Sequence, residues 1–264
     1  ASHFVSPAAM DITSFNDLSI FDHPVTAVGD TYSTGLQKKE GLASAYFDGS
    51  GDRLEIPDSA DWDVGSNQAY SAECFINFAS TGVDYYIMGN EDVSNGSNGW
   101  GLWIEGPTNN IKLTWNGVVI VNVVHGMSAA TWYHVAWDMD VSGNIRVYVN
   151  GAVVGTASNT AGPTGSTNTF RIGRQPVTNN RDFKGWIDDV RISKGIARWT
   201  SSFTPPTQSY APDPYTKLLL DFERSAVKGA EFNFDAEKNI RSIFDGSLQY
   251  LFNSSGDLTT IIDR

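Results

Sequence analysis

The chain has 264 residues, 41% of them hydrophobic, which is enough for one large β domain or two smaller ones with ample core. A formal net charge of −12 and a pI near 4.6 argue against nucleic acid as a partner, because a phosphate backbone is bound by a basic surface. No apolar run approaches the roughly 18 residues of a membrane span and no secretory leader pattern is present, while Ala1 in place of Met points to a processed chain or a fragment.

Residues 1–40 are polar and irregular, broken by Pro7, Pro24 and Gly29. The first ten read as an arm ordered only by contact with something else. DLSIFDH is a strand candidate with Leu18 and Ile20 on one face. From Gly41 a two-residue period becomes steady. LASAYFDG and DRLEIPD are two short strands joined by the turn Gly49-Ser50-Gly51-Asp52. In YSAECFINF, Tyr70, Ala72, Cys74, Ile76 and Phe78 share a face, so the single cysteine reads as a small buried hydrophobe. One cysteine allows no intrachain disulfide, which suits a bacterial or viral product better than a eukaryotic secreted one. The strand VDYYIMGN follows, then a turn-forming loop from Glu91 to Gly99, then GWGLWIEG and NIKLTW.

Two Asn-Gly pairs are the strongest local signals. Asn116-Gly117 and Asn150-Gly151 each lie between alternating strands and accept the positive φ angles of type I′ hairpin turns. TWYHVAWDMD alternates between them. Thr160 to Thr169 is a loop, and TFRIGR is a further strand. FKGWIDDVRISKGIARWTSSFTPP begins as a strand in which Trp186, Val190 and Ile192 alternate with Ile187, Asp189 and Arg191. Ile196, Ala197 and Trp199 are spaced for one short helical turn, and Pro205-Pro206 closes the unit. Trp186 and Trp199 read as the seal between this domain and the tail. After Pro214, YTKLLLDFE, AEFNFDA, IRSIFDG, LQYLFNS and LTTIIDR are five more strand candidates.

About a dozen short strands with turns every ~8–12 residues, and no sustained helical period from 41 to 192, indicate an all-β, antiparallel, two-sheet jelly-roll sandwich. The expected organisation is an N-terminal arm and first strand over 1–40, the jelly roll over 41–210, and a β-rich C-terminal extension over 211–264. That extension is too small to be an obviously independent domain, so it completes the sandwich or contacts partners.

Catalytic signatures are missing. No Glu-x-Asp-x-x-Glu or close variant supplies a glycosidase carboxylate pair. Asp138 and Asp140 alternate correctly but end a strand, and read as solvated. The four histidines lack zinc-site spacing, His134 reads as a satisfied packing residue, and no Gly-x-Ser-x-Gly stands in a strand–turn–helix context. The expectation is a protein that is not an enzyme.

The stretches SAYFDGSGDRLEIPDS, TWYHVAWDMDVSGNIRVYVNGAVVG, FRIGR and GWIDDVRISKGIARWTSSFTPP make the segment from about Gly41 to Pro206 resemble the laminin-G-like, concanavalin-A-like jelly-roll family. The resemblance is strongest to modules of tailed-phage structural proteins, especially marine ones. It implies one flat and one curved sheet, and glycan or protein binding rather than catalysis. Family modules open with an apolar strand of the type LLL-x-F-D. Here LLLDFE, at 218–223, lies after the module and either completes the sandwich in permuted order or begins a degenerate second copy.

The resemblance also implies a structural calcium at the aspartate of the closing strand, Asp188, near Asp48. The alternative is that Asp48 caps its own turn. Glycans are implied on the curved sheet or the loop rim, where Trp100, Trp103, Tyr85, Tyr86, Asn95 and Asn98 offer stacking faces and hydroxyl acceptors, unless the aromatics are core. The expected function is a non-enzymatic virion structural protein of a tailed phage, a capsid decoration or fibre-type protein exposed on the virion surface. Its partners would be other virion proteins, copies of itself, and host or environmental glycans, with no nucleic acid. A secreted bacterial carbohydrate-binding module is the alternative.

Overall fold

The computed structural model describes residues 14–91, 98–178 and 180–223, together with the backbone of four strands between 231 and 263. In chain order the first strands are β1 (Ser14–Asn16), β2 (Pro24–Val28), β3 (Tyr32–Thr34), β4 (Ser44–Asp48) and β5 (Arg53–Ile56). After one 3-10 turn at Ala60–Trp62 come β6 (Tyr70–Phe78), β7 (Tyr85–Gly89), β8 (Trp100–Glu105), β9 (Asn110–Trp115) and β10 (Val118–Val124). They are followed by β11 (Tyr133–Met139), β12 (Asn144–Val149), β13 (Ala152–Ser158), β14 (Phe170–Ile172), β15 (Lys184–Lys194) and β16 (Thr216–Leu220).

These strands form two antiparallel sheets of a jelly-roll sandwich. Sheet 1 runs β1-β2-β5-β14-β7-β8-β9-β10, and sheet 2 runs β13-β12-β11-β6-β15-β4-β3 with β16 also paired to β15. β4 and β5 belong to opposite sheets, so the Gly49–Asp52 turn carries the chain across the sandwich. Asp52 fixes that corner by accepting Asp30 N at 2.6 Å and Asp48 N at 2.7 Å. Both Asn-Gly hairpins form as expected, with φ of 51° and 73° at Asn116 and Gly117, and 48° and 75° at Asn150 and Gly151.

Alternating residues of both sheets fill the space between them. Tyr70, Ala72, Cys74, Ile76 and Phe78 of β6 all point inward, as the sequence parity predicts. An aromatic cluster lies at the centre. Trp137 has ring centroids 5.0 Å from Trp100 and 5.3 Å from Tyr70, and Phe170 lies 5.1 Å from Trp62. Leu218 and Leu220 of β16 join the same core, and Val190, Arg191 and Ile192 of β15 face Leu220, Leu219 and Leu218. The LLL segment therefore lies in this sandwich, beside β15.

Three local expectations are corrected. DLSIFDH is not a strand: Leu18 and Ile20 are exposed, and the Asp17 carboxylate holds a loop by accepting Ser19 N, Ser19 Oγ, His23 N and Leu219 N at 2.7–3.0 Å. Along β15 the alternation is interrupted, because the register against β6 shifts between Asp188 and Arg191 and Asp189 takes a φ of 46°. That bulge puts Ile187, Val190 and Ile192 in the core together, while Trp186 is half-buried against Tyr46 at 5.3 Å. No helical turn forms over Ile196–Trp199. The irregular chain there is pinned by Arg198 N donating to Ser71 Oγ and by the stack of Trp199 on Phe203, centroids 4.3 Å apart.

The strap from 195 to 214 covers the outer face of sheet 2 over β6, β11 and β12, while Tyr32, Tyr46 and Trp186 form a half-buried aromatic row on the same face of β3, β4 and β15. Trp199 and Phe203 meet His134 and Tyr148 edge-on, and Tyr210 stacks on Phe75. Hence all nine residues of β6 are buried, on both faces.

The chain divides into two compact units, with the boundary between Glu223 and Arg224. The second contains β17 (Glu231–Asp235), β18 (Ile240–Phe244), β19 (Leu248–Phe252) and β20 (Leu258–Asp263), an antiparallel four-stranded meander in sequential order. No described helix is long and apolar enough to cross a membrane.

Candidate functional site

The two outer faces of the sandwich differ. On sheet 1, the residues flanking core positions Leu54, Ile56, Phe170, Ile172, Leu102 and Ile104 point outward, and they are mostly charged or polar: Arg53, Glu55, Arg171, Trp103 and Glu105. Glu55 Oε1 accepts Arg53 Nε at 2.8 Å and Arg171 Nη2 at 2.8 Å. Arg174 pairs with Asp182 at 2.8 Å, and Lys112 with Glu105 at 2.7 Å. The Arg181 guanidinium lies 3.8 Å over the Trp103 ring, with Lys112 Nζ 4.9 Å from the same ring.

Beside this cluster, Glu91 is buried and accepts Thr114 Oγ1 at 2.7 Å and Gly117 N at 3.0 Å. Burial raises its carboxyl above the ordinary range against those two bonds. Gly101 makes the close packing here possible. A Cβ at that position would lie 2.8 Å from Tyr86 Oη and 3.1 Å from Glu91 Oε2.

The aromatic residues expected to stack on sugars are corrected on burial. Trp100 and Tyr86 are 0% exposed, Tyr85 2% and Trp103 5%. Trp100 and Tyr85 point into the sandwich, Tyr86 lies beneath Gly101, and Trp103 is capped by two cations, so none offers a bare ring face. Asn98 is half-buried, and Asn95 lies outside the described residues.

The expected calcium pair does not come together. Asp48 lies opposite Lys184, four residues along β15 from Asp188. Asp48 Oδ1 caps its own turn by accepting Ser50 N at 2.6 Å. Asp188 is saturated: Oδ2 accepts Lys39 N and Glu40 N, and Oδ1 accepts Asp189 N, at 2.8–3.1 Å. Its neighbour Asp189 is different. It is fully buried and receives no backbone N–H, and the Ser209 side chain is the one hydrogen-bonding group that pulls its carboxyl down. Burial, with the charges of Asp188, Asp221 and Glu40, pushes Asp189 up to about 8, and burial pushes Asp188 up to about 7. Among the described residues no three His, Cys, Asp or Glu side chains converge as a ligand set.

Asp138 is not solvated as expected. It is buried, accepts from Arg146, Tyr148 and Trp199 N, and burial raises it to about 6. Asp140 pairs with Arg146 at 2.7 Å. His134 Nε2 lies 3.0 Å from Glu73 Oε2 and 3.1 Å from Tyr210 Oη, while Nδ1 has no partner among the described residues. Burial opposes the Glu73 charge, but the His134 bond and the Arg191 guanidinium hold its carboxyl below the ordinary range. This network fastens the strap to sheet 2.

Sequence reasoning missed Arg53, Arg171, Arg174 and Arg181. The signal was present in FRIGR, where Arg171 lies between two core residues and so must point outward.

The family model described as the concanavalin A-like lectin/glucanases superfamily matches residues 48–198. No curated protein matches the sequence. Among solved structures, domain 4 of AbnA, a GH43 extracellular arabinanase from Geobacillus stearothermophilus in complex with arabinotriose, is 20% identical with a TM-score of 0.48, over 70% of this chain and 93% of that one. A putative carbohydrate binding protein from Bacteroides ovatus is 16% identical with a TM-score of 0.50, over 97% of this chain and 60% of that one. The botulinum neurotoxin serotype G binding domain is 12% identical with a TM-score of 0.52, over 94% and 64%. The chain thus spans less than two thirds of the length of the last two. These likenesses concern the fold.

Proposed function

The chain belongs to the concanavalin A-like lectin/glucanases superfamily, and from that premise we propose that it is a non-enzymatic glycan-binding protein whose sandwich engages sugars through the outer face of sheet 1. The observation that carries this reading is the contrast between the faces. Over β6, β11 and β12 sheet 2 is covered by an aromatic strap, whereas sheet 1 presents Arg53, Glu55 and Arg171 on β5 and β14, and Arg181, Lys112 and Glu105 at Trp103. Hydrogen-bonding groups spaced along a sheet suit an extended polyhydroxylated ligand better than a single reacting atom. The likeness to the Bacteroides ovatus protein, described as a putative carbohydrate binding protein, agrees with it. Binding of the full chain on a glycan array tests it; turnover of a polysaccharide, or no binding to any glycan, would overturn it.

The setting we propose is the surface of a tailed-phage virion, as a capsid decoration or fibre-type protein that contacts other virion proteins and copies of itself. The support is the sequence resemblance together with a second compact unit, β17–β20, separate from the sandwich. Light scattering on the full chain and on a chain ending at Glu223 checks it. An oligomer lost on truncation favours the virion reading; a monomer in both forms favours a secreted bacterial carbohydrate-binding module.

A further inference from the structure

Away from the strap, a row of side chains crosses the outer face of sheet 2 at right angles to its strands. On β4, Ala45 and Phe47 are core, so Tyr46 points outward. The register sets Tyr32 of β3 and Trp186 of β15 on either side of Tyr46, each with its ring centroid 5.3 Å from that of Tyr46. On the next strand Asn77 of β6 stands opposite Trp186, and it faces outward because Ile76 and Phe78 are core. β11 begins with Tyr133 opposite Ile76, and Ala130 N still donates to Phe78 O at 2.9 Å, which carries Trp132 alongside Asn77. Trp132 packs against the outer cluster of Phe75, Tyr210 and Leu219, at the margin of the strap. Four aromatic side chains and one amide therefore share one level across five neighbouring segments, roughly 19 Å at the ordinary strand spacing.

Asn77 supplies a separate observation. It is 4% exposed, it lies between the levels of two indoles, and its Oδ1 accepts no hydrogen bond among the described residues. A desolvated acceptor without a donor costs about 1–3 kcal/mol, a cost that an apolar residue would avoid. The χ2 torsion of asparagine is soft, so the amide can turn Oδ1 toward a hydroxyl arriving from above.

The rings are half-buried: Tyr46, Trp186 and Trp132 each keep part of their surface in solvent. Tyr46 and Trp186 brace each other, so little side-chain freedom remains to be lost on binding. Tyrosine, tryptophan and asparagine are uncharged at neutral pH. On one side of the row Lys184 stands opposite Asp48, and on the other Asp188 is closed off by Lys39 N, Glu40 N and Asp189 N. The row offers ring faces and an amide, and no fixed charge of its own.

We propose that this row is a second glycan-binding surface, and that its ligand is a neutral, β-linked polysaccharide laid across the strands. This goes beyond the glycan-binding reading above, which concerns the face of sheet 1. A pyranose with equatorial hydroxyls presents flat C–H faces that stack on Tyr46, Trp186 and Trp132, while a hydroxyl at its rim donates to Asn77 Oδ1. An extended β-linked chain keeps successive rings in line with a straight row, and a coiled α-linked chain does not. An acidic chain gains nothing from a row without cations.

Affinity electrophoresis of the full chain in gels containing hydroxyethylcellulose, dextran or polygalacturonate tests the assignment. The expected result is at least ~10-fold tighter binding to hydroxyethylcellulose than to either of the others. Trp186→Ala should weaken that binding at least ~10-fold, and Trp186→Phe by less, because a ring remains. Asn77→Ala should weaken it about 3-fold and leave the melting temperature unchanged, since the free protein loses no hydrogen bond. If Trp186→Ala fails to fold, Trp186→Phe and Asn77→Ala decide the question. Equal binding to dextran, or hydroxyethylcellulose binding that neither Trp186 nor Asn77 substitutions weaken, overturns the inference. Binding that survives Trp186→Ala but is lost in Trp103→Ala leaves the sheet 1 reading standing without this row. Binding to none of the three gels overturns the row alone where a glycan array is positive, and both readings where the array is blank.

Discussion

Asp188 and Asp189 are consecutive in β15 yet have opposite environments: Asp188 accepts three backbone N–H groups, and Asp189, at φ 46° in the bulge, is enclosed with none. Burial pushes them up to about 7 and about 8, with Glu223 adding to the first, and Asp188, Asp221 and Glu40 to the second. A raised folded-state pKa means that the fold favours the protonated acid. The stability this confers is fully present below the ordinary carboxylate pKa of 3.8 and is lost as pH rises through 7 to 8.

The melting temperature should therefore fall by several degrees between pH 5 and pH 9, and Asp189→Asn should flatten that slope and raise stability at pH 8. The calcium expected at Asp48 and Asp188 is tested on the same chain: with the two carboxylates apart and Asp188 occupied by three backbone N–H groups, calcium and EDTA should leave the melting temperature at pH 8 unchanged. A rise with calcium that EDTA reverses would restore a cation to this corner.

Glu73 should behave in the opposite sense. Its carboxyl is held below the ordinary range, so its contribution is present above that range and is lost in acid. Glu73→Gln leaves Arg191 and His134 without their anion beneath the strap, and should cost about 3 kcal/mol in urea unfolding at pH 7. Tyr210→Phe removes only the hydroxyl near His134 and should cost about 1 kcal/mol.

What was legible in the sequence was local. The two Asn-Gly hairpins and the inward parity of β6 depend on residues a few positions apart, and both form as read. The Asp17 loop was not legible, because its carboxylate closes on Leu219 N, 202 positions away, and a strand pattern carries no trace of that bond. Trp100 and Trp103 show the same limit. Their opposite parity is readable, but Trp103 is closed over by Arg181, brought from a distant loop. Likewise the arginine group exists only because β14 pairs with β5 and β7, which sets Arg171 opposite Glu55.

Gly151 tests how tightly the strap is tied to the second hairpin. Its φ is 75°, and a Cβ there would lie 1.9 Å from Phe203 O and 3.1 Å from Pro205 Cδ. Gly151 O also accepts Phe203 N at 2.9 Å. Gly151→Ala should therefore cost more than the ~1 kcal/mol of a left-handed alanine, because the strap must lift as well. Fluorescence of Trp199, stacked on Phe203, should shift to the red. Gly82→Ala, at φ 79° with nothing within 4 Å of the added Cβ, should cost only the backbone term and leave that fluorescence unchanged.

The last β strand of the sandwich sets where the chain can be cut. Leu218 and Leu220 are core residues, and β16 covers the edge of β15. A chain ending at Pro214 exposes that edge and deletes both leucines, and should aggregate or unfold at least 10 °C earlier, roughly the effect of two large-to-small core substitutions. One ending at Glu223 retains β16 and should melt within about 2 °C of the full chain's sandwich transition. Equal melting of the two truncations would show that β16 contributes nothing to the fold.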